Sequence, residues 1–230
     1  MVAKFELNES HFRRDVNLVP GLHFLDIMPL LKDREAFKST VDLLAARVRE
    51  EFPEGIDYVA GIELRGVPFA SALAYALGVG NVVARKKGKL PGLLHSSHYQ
   101  TEYSFDQLEV QQDAVEPGAK VVVVDDLIAT GASFSAVYDC LKKCQASVVG
   151  LAVPVEFPAA GGREKLQQSH PDVKLVSLVS LTYRGQKPKY DPADYEKERR
   201  DFLDFVSSCK KKDRCDISSA KEQEKVAKES

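Results

Sequence analysis

The chain has 230 residues, and its 32 lysines and arginines against 34 aspartates and glutamates give a formal net charge of −2. This balance argues against a general nucleic-acid binder. The apolar runs are far shorter than the roughly 18 residues that a membrane helix needs, and the first residues lack the apolar core of a secretion signal. Cys140 and Cys144, spaced i, i+4 on a predicted helix, fit buried, reduced thiols. We therefore expect a cytoplasmic globular protein with no nucleic-acid or membrane partner.

Hydrophobic patterns predict helices that alternate with strands. An irregular segment over residues 1–35 is followed by a helix over 35–52, a strand over 56–62, a helix over 67–77, a short strand over 81–84, a hairpin within 98–112, a strand over 120–124, a helix over 133–144, and strands over 148–155 and 173–178. Such alternation predicts an α/β fold with a mostly parallel central sheet flanked by helices. The last 21 residues are strongly polar, and we expect a frayed or disordered tail.

The most informative segment follows the strand of four valines at 121–124. Asp125 and Asp126 stand where that strand should end, and a loop of small and hydroxyl residues comes next: Ala129, Thr130, Gly131, Ala132 and Ser133. Ligands of open α/β sheets bind at the carboxyl ends of the strands. Loop amides and a helix N-terminus suit a phosphate, and paired acids accept hydrogen bonds from vicinal hydroxyls. The segment predicts a site for a phosphorylated ribose, with Ser133 also expected to cap the helix.

Two further segments place positive charge near this site. Arg65 lies in Glu63-Leu64-Arg65-Gly66, between a predicted strand and a predicted helix, and predicts a second anion site. A basic run follows the next strand and contributes Arg85, Lys86 and Lys89. Beside two phosphate sites, such residues would stabilise a departing diphosphate.

The 121–133 segment resembles the phosphoribosyl-pyrophosphate motif of the type I phosphoribosyltransferases. The resemblance implies that the two acids hold the ribose 2′ and 3′ hydroxyls, and that the 129–133 loop binds the 5′-phosphate. It makes Arg65 part of the pyrophosphate loop, with a non-proline cis peptide between Glu63 and Leu64. It implies Mg²⁺ carried on the donor, with no protein ligand assigned except Asp125 through water. It also implies a homodimer, because basic residues of the 85–89 region can reach the neighbouring subunit's site.

Residues 85–92, 101–103 and 20–33 resemble the adenine-specific members of the same family. The resemblance divides the chain into an N-terminal hood (1–34), a phosphoribosyltransferase core (35–190) and a C-terminal extension (191–230). It implies adenine contacts by Phe24, Leu25 and Ile128, although Leu25 stands where other members often have Arg. It assigns the proton at N7 of the base to Glu102, and places Tyr103 on a lid over the site.

The resemblance therefore implies a purine-salvage pentosyltransferase that makes AMP and pyrophosphate from adenine and phosphoribosyl pyrophosphate. One alternative is a phosphoribosyltransferase for another nucleobase, such as hypoxanthine or guanine. The other is a non-catalytic, ligand-sensing regulator on the same fold. Phe24 and Glu102 favour adenine, and a regulator would be expected to have lost Glu102 or Arg65.

Overall fold

The computed structural model describes residues 25–100 and 105–181. The described residues from Ile27 onward belong to one compact unit, whereas Leu25 and Asp26 belong to a second unit. Most of the predicted hood and the whole predicted C-terminal extension lie outside the described residues, so the three domain boundaries stay predictions.

Five helices and eight strands are formed by the described residues. The helices are α1 (Met28–Lys32), α2 (Arg34–Glu51), α3 (Gly66–Leu77), α4 (Ala132–Lys143) and α5 (Gly162–Ser169), with a short 3₁₀ turn at Pro158–Ala160. The strands are β1 (Tyr58–Ile62), β2 (Gly80–Lys86), β3 (Leu94–Gln100), β4 (Phe105–Gln111), β5 (Lys120–Val124), β6 (Leu127–Ile128), β7 (Ser147–Glu156) and β8 (Lys174–Ser180). None of these helices is both long and apolar enough to cross a membrane.

The strands form one sheet that is parallel except at one edge. Its order is β3-β4-β2-β1-β5-β7-β6, and β8 also pairs with β7. Strand β1 pairs parallel with β2 and β5, and β7 pairs parallel with β5, β6 and β8. Strand β4 pairs antiparallel with both β2 and β3. Crossover helices join the parallel strands and cover the sheet, as a parallel sheet requires. The predicted mostly parallel sheet flanked by helices is confirmed.

Helices cover both faces of this sheet. Residues of α4 and α5 share a core with Ala60, Val82 and Val121, which point to one face. The opposite face receives α3, since a Cβ on Gly61 would lie 2.7 Å from the Cβ of Ala70. Val121–Val124 are fully buried, because a central parallel strand is covered on both sides. The carboxyl ends of β1 and β5 consequently open at one edge of the sheet, where α3 and α4 begin.

The longest helix shows why the predicted boundaries are close to the observed ones. Asp33 caps α2, its side chain accepting hydrogen bonds from the backbone N–H groups of Glu35 and Ala36, both at 3.0 Å. Buried Val41, Leu44 and Val48 recur at the spacing that aims one helix face at the core. The predicted helix start at residue 35 is therefore off by one residue.

Candidate active site

Asp125 and Asp126 lie side by side at the carboxyl end of β5 but face different partners. Asp126 is 2% exposed, and its Oδ2 lies 3.1 Å from Nε of Arg65. This contact is an ion pair without hydrogen-bond geometry, and Oδ2 has no other hydrogen-bond partner among the described residues. Asp125 is half-buried; its Oδ1 accepts from the Asp126 N–H at 2.9 Å and its Oδ2 from Ser133 Oγ at 3.4 Å. The structure thus joins the acids to Arg65 on one side and to α4 on the other.

Crowding two carboxylates at one partly dry site disfavours their ionised forms. Burial raises the pKa of Asp125 well above 3.8, and the charge of Asp126 raises it further. Burial also raises the pKa of Asp126, while the guanidinium of Arg65 opposes that rise. Hydrogen-bond donors that favour the charged carboxylates would relieve this cost. The pair is therefore suited to bind a ligand that presents hydroxyl groups.

The loop after the acid pair leads directly into α4. Ala129, Thr130, Gly131, Ala132 and Ser133 are all partly exposed. Gly131 occupies the N-cap position with φ 78°, a left-handed conformation that favours glycine. The expectation that Ser133 caps α4 is wrong: the helix begins at Ala132, no side chain caps it, and the Ser133 hydroxyl binds Asp125 instead. The first N–H groups of a helix have no partner within it, so this end is suited to a phosphate.

Close packing fixes the acid pair against the start of α3. A Cβ on Gly66 would lie 2.5 Å from the Val124 carbonyl oxygen and 2.9 Å from Cα of Asp125. Only glycine fits this approach, because backbone atoms on both sides cannot move aside cheaply. Gly66 therefore allows Arg65 to reach Asp126.

Glu63, in the loop before α3, organises part of the basic run. The peptide bond between Glu63 and Leu64 is cis, as predicted. Glu63 Oε2 accepts hydrogen bonds from Arg85 Nε at 3.0 Å and from the Lys86 N–H at 2.7 Å, and Oε1 accepts from Lys89 Nζ at 2.6 Å. Burial raises the pKa of Glu63, but these three donors outweigh it and bring that pKa down to about 2. The predicted pyrophosphate residues Arg65, Arg85 and Lys89 thus converge on one loop.

The side chain of Lys86 points to the opposite face of the sheet from that of Arg85, because side chains alternate along β2. Its Nζ lies 2.6 Å from Asp106 Oδ2, on β4. Neither Glu63 nor Asp106 was assigned a role from the sequence. A usable signal for Asp106 was its place two residues before Leu108 and four before Val110, since strand alternation puts all three on one face.

Several predicted site residues are not placed by the structure. Phe24, Glu102 and Tyr103 lie outside the described residues, so their roles stay predictions. Leu25 lies at the start of the described part with its side chain buried. Ile128, on β6, is 3% exposed and packs in the core, directly before the 129–133 loop. Its predicted contact with adenine also stays a prediction.

A second ion pair, between Arg163 and Glu156, lies near the 129–133 loop and was not predicted. Arg163 of α5 donates to Glu156 from Nε at 2.7 Å and from Nη2 at 2.5 Å, and Ser177 Oγ donates to the same carboxylate at 2.8 Å. These donors outweigh burial and lower the pKa of Glu156. Glu156 pairs with Ile128 across β6 and β7, so the network supports the strand that precedes the phosphate loop.

The described residues contain no group of three or more His, Cys, Asp or Glu side chains placed to hold a metal ion. A shallow cavity of about 630 Å³ lies at the opposite end of the sheet, lined by residues that include Asp57, Tyr58 and Glu116. It is far along β1 and β5 from the acid pair and brings no cations together. The chemistry of the carboxyl edge, rather than this cavity, identifies the candidate site.

An acid pair and a small-residue loop at the carboxyl edge of a parallel sheet define a protein that handles a phosphorylated sugar. The phosphoribosyl transferase domain matches residues 30–192, and the chain belongs to this family. Its fold is the type I phosphoribosyltransferase fold, as predicted.

The chain is similar in sequence to adenine phosphoribosyltransferases of animals and bacteria. The chain is 47% identical to the enzyme of Rattus norvegicus over 148 residues, which is 64% of this chain and 82% of the relative. It is 48% identical to the enzyme of Symbiobacterium thermophilum over 159 residues, which is 69% of this chain and 91% of the relative.

Solved structures give the same likeness. The adenine phosphoribosyltransferase of Saccharomyces cerevisiae, solved with an imino-altritol bisphosphate and adenine, is 35% identical with a TM-score of 0.67. The match covers 74% of this chain and 94% of that one. The enzyme of Thermoanaerobacter pseudethanolicus is 37% identical with a TM-score of 0.67, covering 74% and 96% of the two chains.

Proposed function

We propose that this chain is an adenine phosphoribosyltransferase, which transfers the 5-phosphoribosyl group of phosphoribosyl pyrophosphate to adenine and releases pyrophosphate. The observation that carries the proposal is the acid pair at the carboxyl end of β5, held between Arg65 and Ser133 at the start of the two site helices. The resemblance to relatives named for this activity, at 47% identity, supports the choice of adenine.

The acid pair binds the ribose of the donor in this proposal. Asp125 and Asp126 accept hydrogen bonds from its 2′ and 3′ hydroxyls, and these bonds favour the ionised carboxylates that burial disfavours. As the bond to pyrophosphate lengthens, positive charge develops on the sugar ring. Two nearby carboxylates stabilise that charge.

The 5′-phosphate and the pyrophosphate of the donor bind on either side of the acids. The N-terminal end of α4 and the 129–133 loop take the 5′-phosphate. Arg65 and the basic residues of β2 and its turn, Arg85, Lys86 and Lys89, face the pyrophosphate. Their charge stabilises the leaving group as it departs.

Mg²⁺ is expected to bind mainly through oxygen atoms of the donor. The ion prefers oxygen ligands and keeps several waters, which fits a site where the neighbouring carboxylates Glu63 and Asp106 are already paired with basic side chains. Asp125 would contact it through water. When bound, the ion neutralises part of the pyrophosphate charge.

The adenine site is proposed from the resemblance. Phe24, Leu25 and Ile128 contact the base, and Tyr103 covers it. Glu102 accepts the N7 proton as N9 attacks the sugar, a role worth roughly 10²–10⁴-fold in rate. Glu102→Ala is therefore expected to lower kcat by more than about tenfold with unchanged donor affinity; an unchanged kcat would assign the proton to another group. The homodimer and the cytoplasmic location likewise stay predictions.

A panel of bases tests the proposal. Purified protein is given Mg²⁺, phosphoribosyl pyrophosphate and, separately, adenine, hypoxanthine, guanine, xanthine or orotate. We expect AMP from adenine and no nucleotide from the other bases. Turnover of another base in place of adenine would assign a different acceptor, and no turnover with any base would favour the regulator.

A further inference from the structure

The basic run is not one patch, because β2 continues through Lys86 and turns successive side chains to opposite faces. Arg85 points toward Glu63. Lys86 shares the face of Val82 and Ala84, which pack in the core beneath α4. Lys86 therefore lies on the same side of the sheet as α4, whose first turn contacts Asp125.

On that side Lys86 meets an acid of the neighbouring strand. Asp106 Oδ2 lies 2.6 Å from Lys86 Nζ, and the Tyr99 hydroxyl makes a long contact of 3.5 Å to the same oxygen. Asp106 Oδ1 accepts from the Gln107 N–H at 2.9 Å, which fixes the carboxylate. Tyr99 and Asp106 are directly opposite each other in the β3–β4 ladder. These three residues form the Lys86 cluster.

The Lys86 cluster borders the candidate site. Burial and the charge of Asp106 raise the pKa of Tyr99 to about 12, and the charges of Asp125 and Glu63 contribute to that rise. Tyr99 also packs against the core beneath α4, the helix whose first turn contacts Asp125. The Lys86 backbone N–H also donates to Glu63, in the loop that holds Arg65. Asp106 follows Glu102 by four residues in the sequence.

The ion pair is accessible enough to exchange. The Lys86 side chain is 48% exposed and that of Asp106 is 25% exposed. Ion pairs open to solvent are weaker than buried ones, and a pyrophosphate offers more negative charge and more acceptor oxygens than one carboxylate. An arriving pyrophosphate can therefore compete for Lys86.

We propose that Asp106 is a positioning residue that holds Lys86 beside the site in the free protein, and that the pyrophosphate of the donor takes Lys86 from it. This inference rests on the proposed function. If Asp106 is neutralised, pyrophosphate should bind more tightly, because Lys86 no longer has to break an ion pair before it binds the ligand.

A double-mutant cycle on pyrophosphate binding tests the exchange. Pyrophosphate with Mg²⁺ is titrated calorimetrically into the full chain, Asp106→Asn, Lys86→Gln and the double variant. Asp106→Asn keeps the acceptor for the Gln107 N–H, and we expect it to bind pyrophosphate about two- to fivefold more tightly than the parent. Lys86→Gln should bind more weakly, and the gain from Asp106→Asn should vanish in the Lys86→Gln background.

Three results would overturn the exchange: unchanged affinity in Asp106→Asn, weaker binding in Asp106→Asn, or an equal gain with and without Lys86. Structural damage would not tighten binding, so the expected sign separates positioning from a folding defect.

Glu54→Gln is the matched control, since Glu54 pairs with Lys120 at 3.1 Å at the other end of β5. It removes one negative charge and should leave pyrophosphate affinity unchanged. If the parent makes AMP but Asp106→Asn binds as the parent does, only this inference fails; a parent without turnover on any base contradicts the proposed function itself.

Discussion

At the scale of single residues, Asp125 and Asp126 are unfavourable to ionise in the free protein, yet the proposed reaction uses their ionised forms to bind the ribose. Asp126 is almost fully buried with Arg65 as its charged neighbour, and Asp125 accepts hydrogen bonds from two neutral donors among the described residues. Ionising both is unfavourable until a ligand supplies hydrogen bonds. This cost lowers the free energy of unfolding of the free protein, where it can be measured.

Asp125→Asn is predicted to stabilise the free protein at neutral pH. Because the pKa of Asp125 is raised by folding from 3.8, the folded state binds more protons than the unfolded state above that pH, and the free energy of unfolding falls as pH rises. Asparagine does not titrate. Urea unfolding at about pH 7 should therefore show a more stable variant, and the difference should shrink toward about pH 4.

The exposed Asp172 provides the control for this experiment. Asp172→Asn should show no comparable pH-dependent gain. A less stable Asp125→Asn protein at neutral pH, or a difference that does not change with pH, would mean that Asp125 carries no such cost.

The sequence was most informative about residues that share a short segment. Asp125, Asp126 and the 129–133 loop were assigned together, because a valine strand, two acids and small residues are adjacent in the chain. The partners of those residues come from elsewhere. The ion pair of Arg65 with Asp126 depends on which strands are neighbours in the sheet, as do the hydrogen bonds of Glu63 with Arg85 and Lys89. The order of strands in the sheet cannot be predicted from a single sequence.

At the scale of elements, packing between helices and loops holds the phosphate loop in place. The first residue of α5 is Gly162, and a Cβ there would lie 2.2 Å from the Ala129 carbonyl oxygen. The Glu156–Arg163 ion pair joins α5 to the end of β7 on the same side. Helix α5, which was not predicted, therefore packs against the 129–133 loop.

Gly162→Ala is expected to lower stability by about 1–3 kcal/mol, because the added methyl meets backbone that must shift. The shift moves Ala129, so the KM for phosphoribosyl pyrophosphate should also rise. Thermal unfolding and donor kinetics measure the two effects.

Gly118→Ala is the comparison for that variant. Gly118 has φ 83° and nothing within 4 Å of an added Cβ, so the change strains only the local backbone, at about 1–2 kcal/mol. Its donor KM should match that of the parent. If Gly162→Ala also retains the parent KM, the contact with Ala129 does not position the loop.

Element prediction succeeded where one physical rule dominated. The strand over 120–124 was predicted with its observed bounds, because a buried parallel strand is a continuous apolar run. Helix α5 was missed, since its eight residues bury only Gly162 and Leu166 and give almost no periodic signal. Strand β6 has two residues, too few for any alternation. Strand β2 extends into the basic run because Arg85 and Lys86 pair with β4, a contact distant in sequence.

At the scale of the whole molecule, sheet order brings the site together. Parallel pairing of β1 with both β2 and β5 places the Arg65 loop, the basic run and the acid pair at one edge. The acid pair and the Arg65 loop were each recognisable as a ligand site, whereas the basic run gained its predicted role only from lying beside them. Their common edge follows from the rule that parallel strands end together. The fold class could therefore be predicted, while the division of the basic run between the two faces could not.

The central claim is that Asp125 and Asp126 bind the donor of a phosphoribosyl transfer to adenine. AMP formation from adenine, phosphoribosyl pyrophosphate and Mg²⁺ should be compared in the parent and in the double variant Asp125→Asn, Asp126→Asn. We predict turnover by the parent and a kcat/KM for the donor at least about tenfold lower in the variant, since two charge-assisted hydrogen bonds are lost. A parent that makes no AMP, or a double variant as active as the parent, would contradict the account.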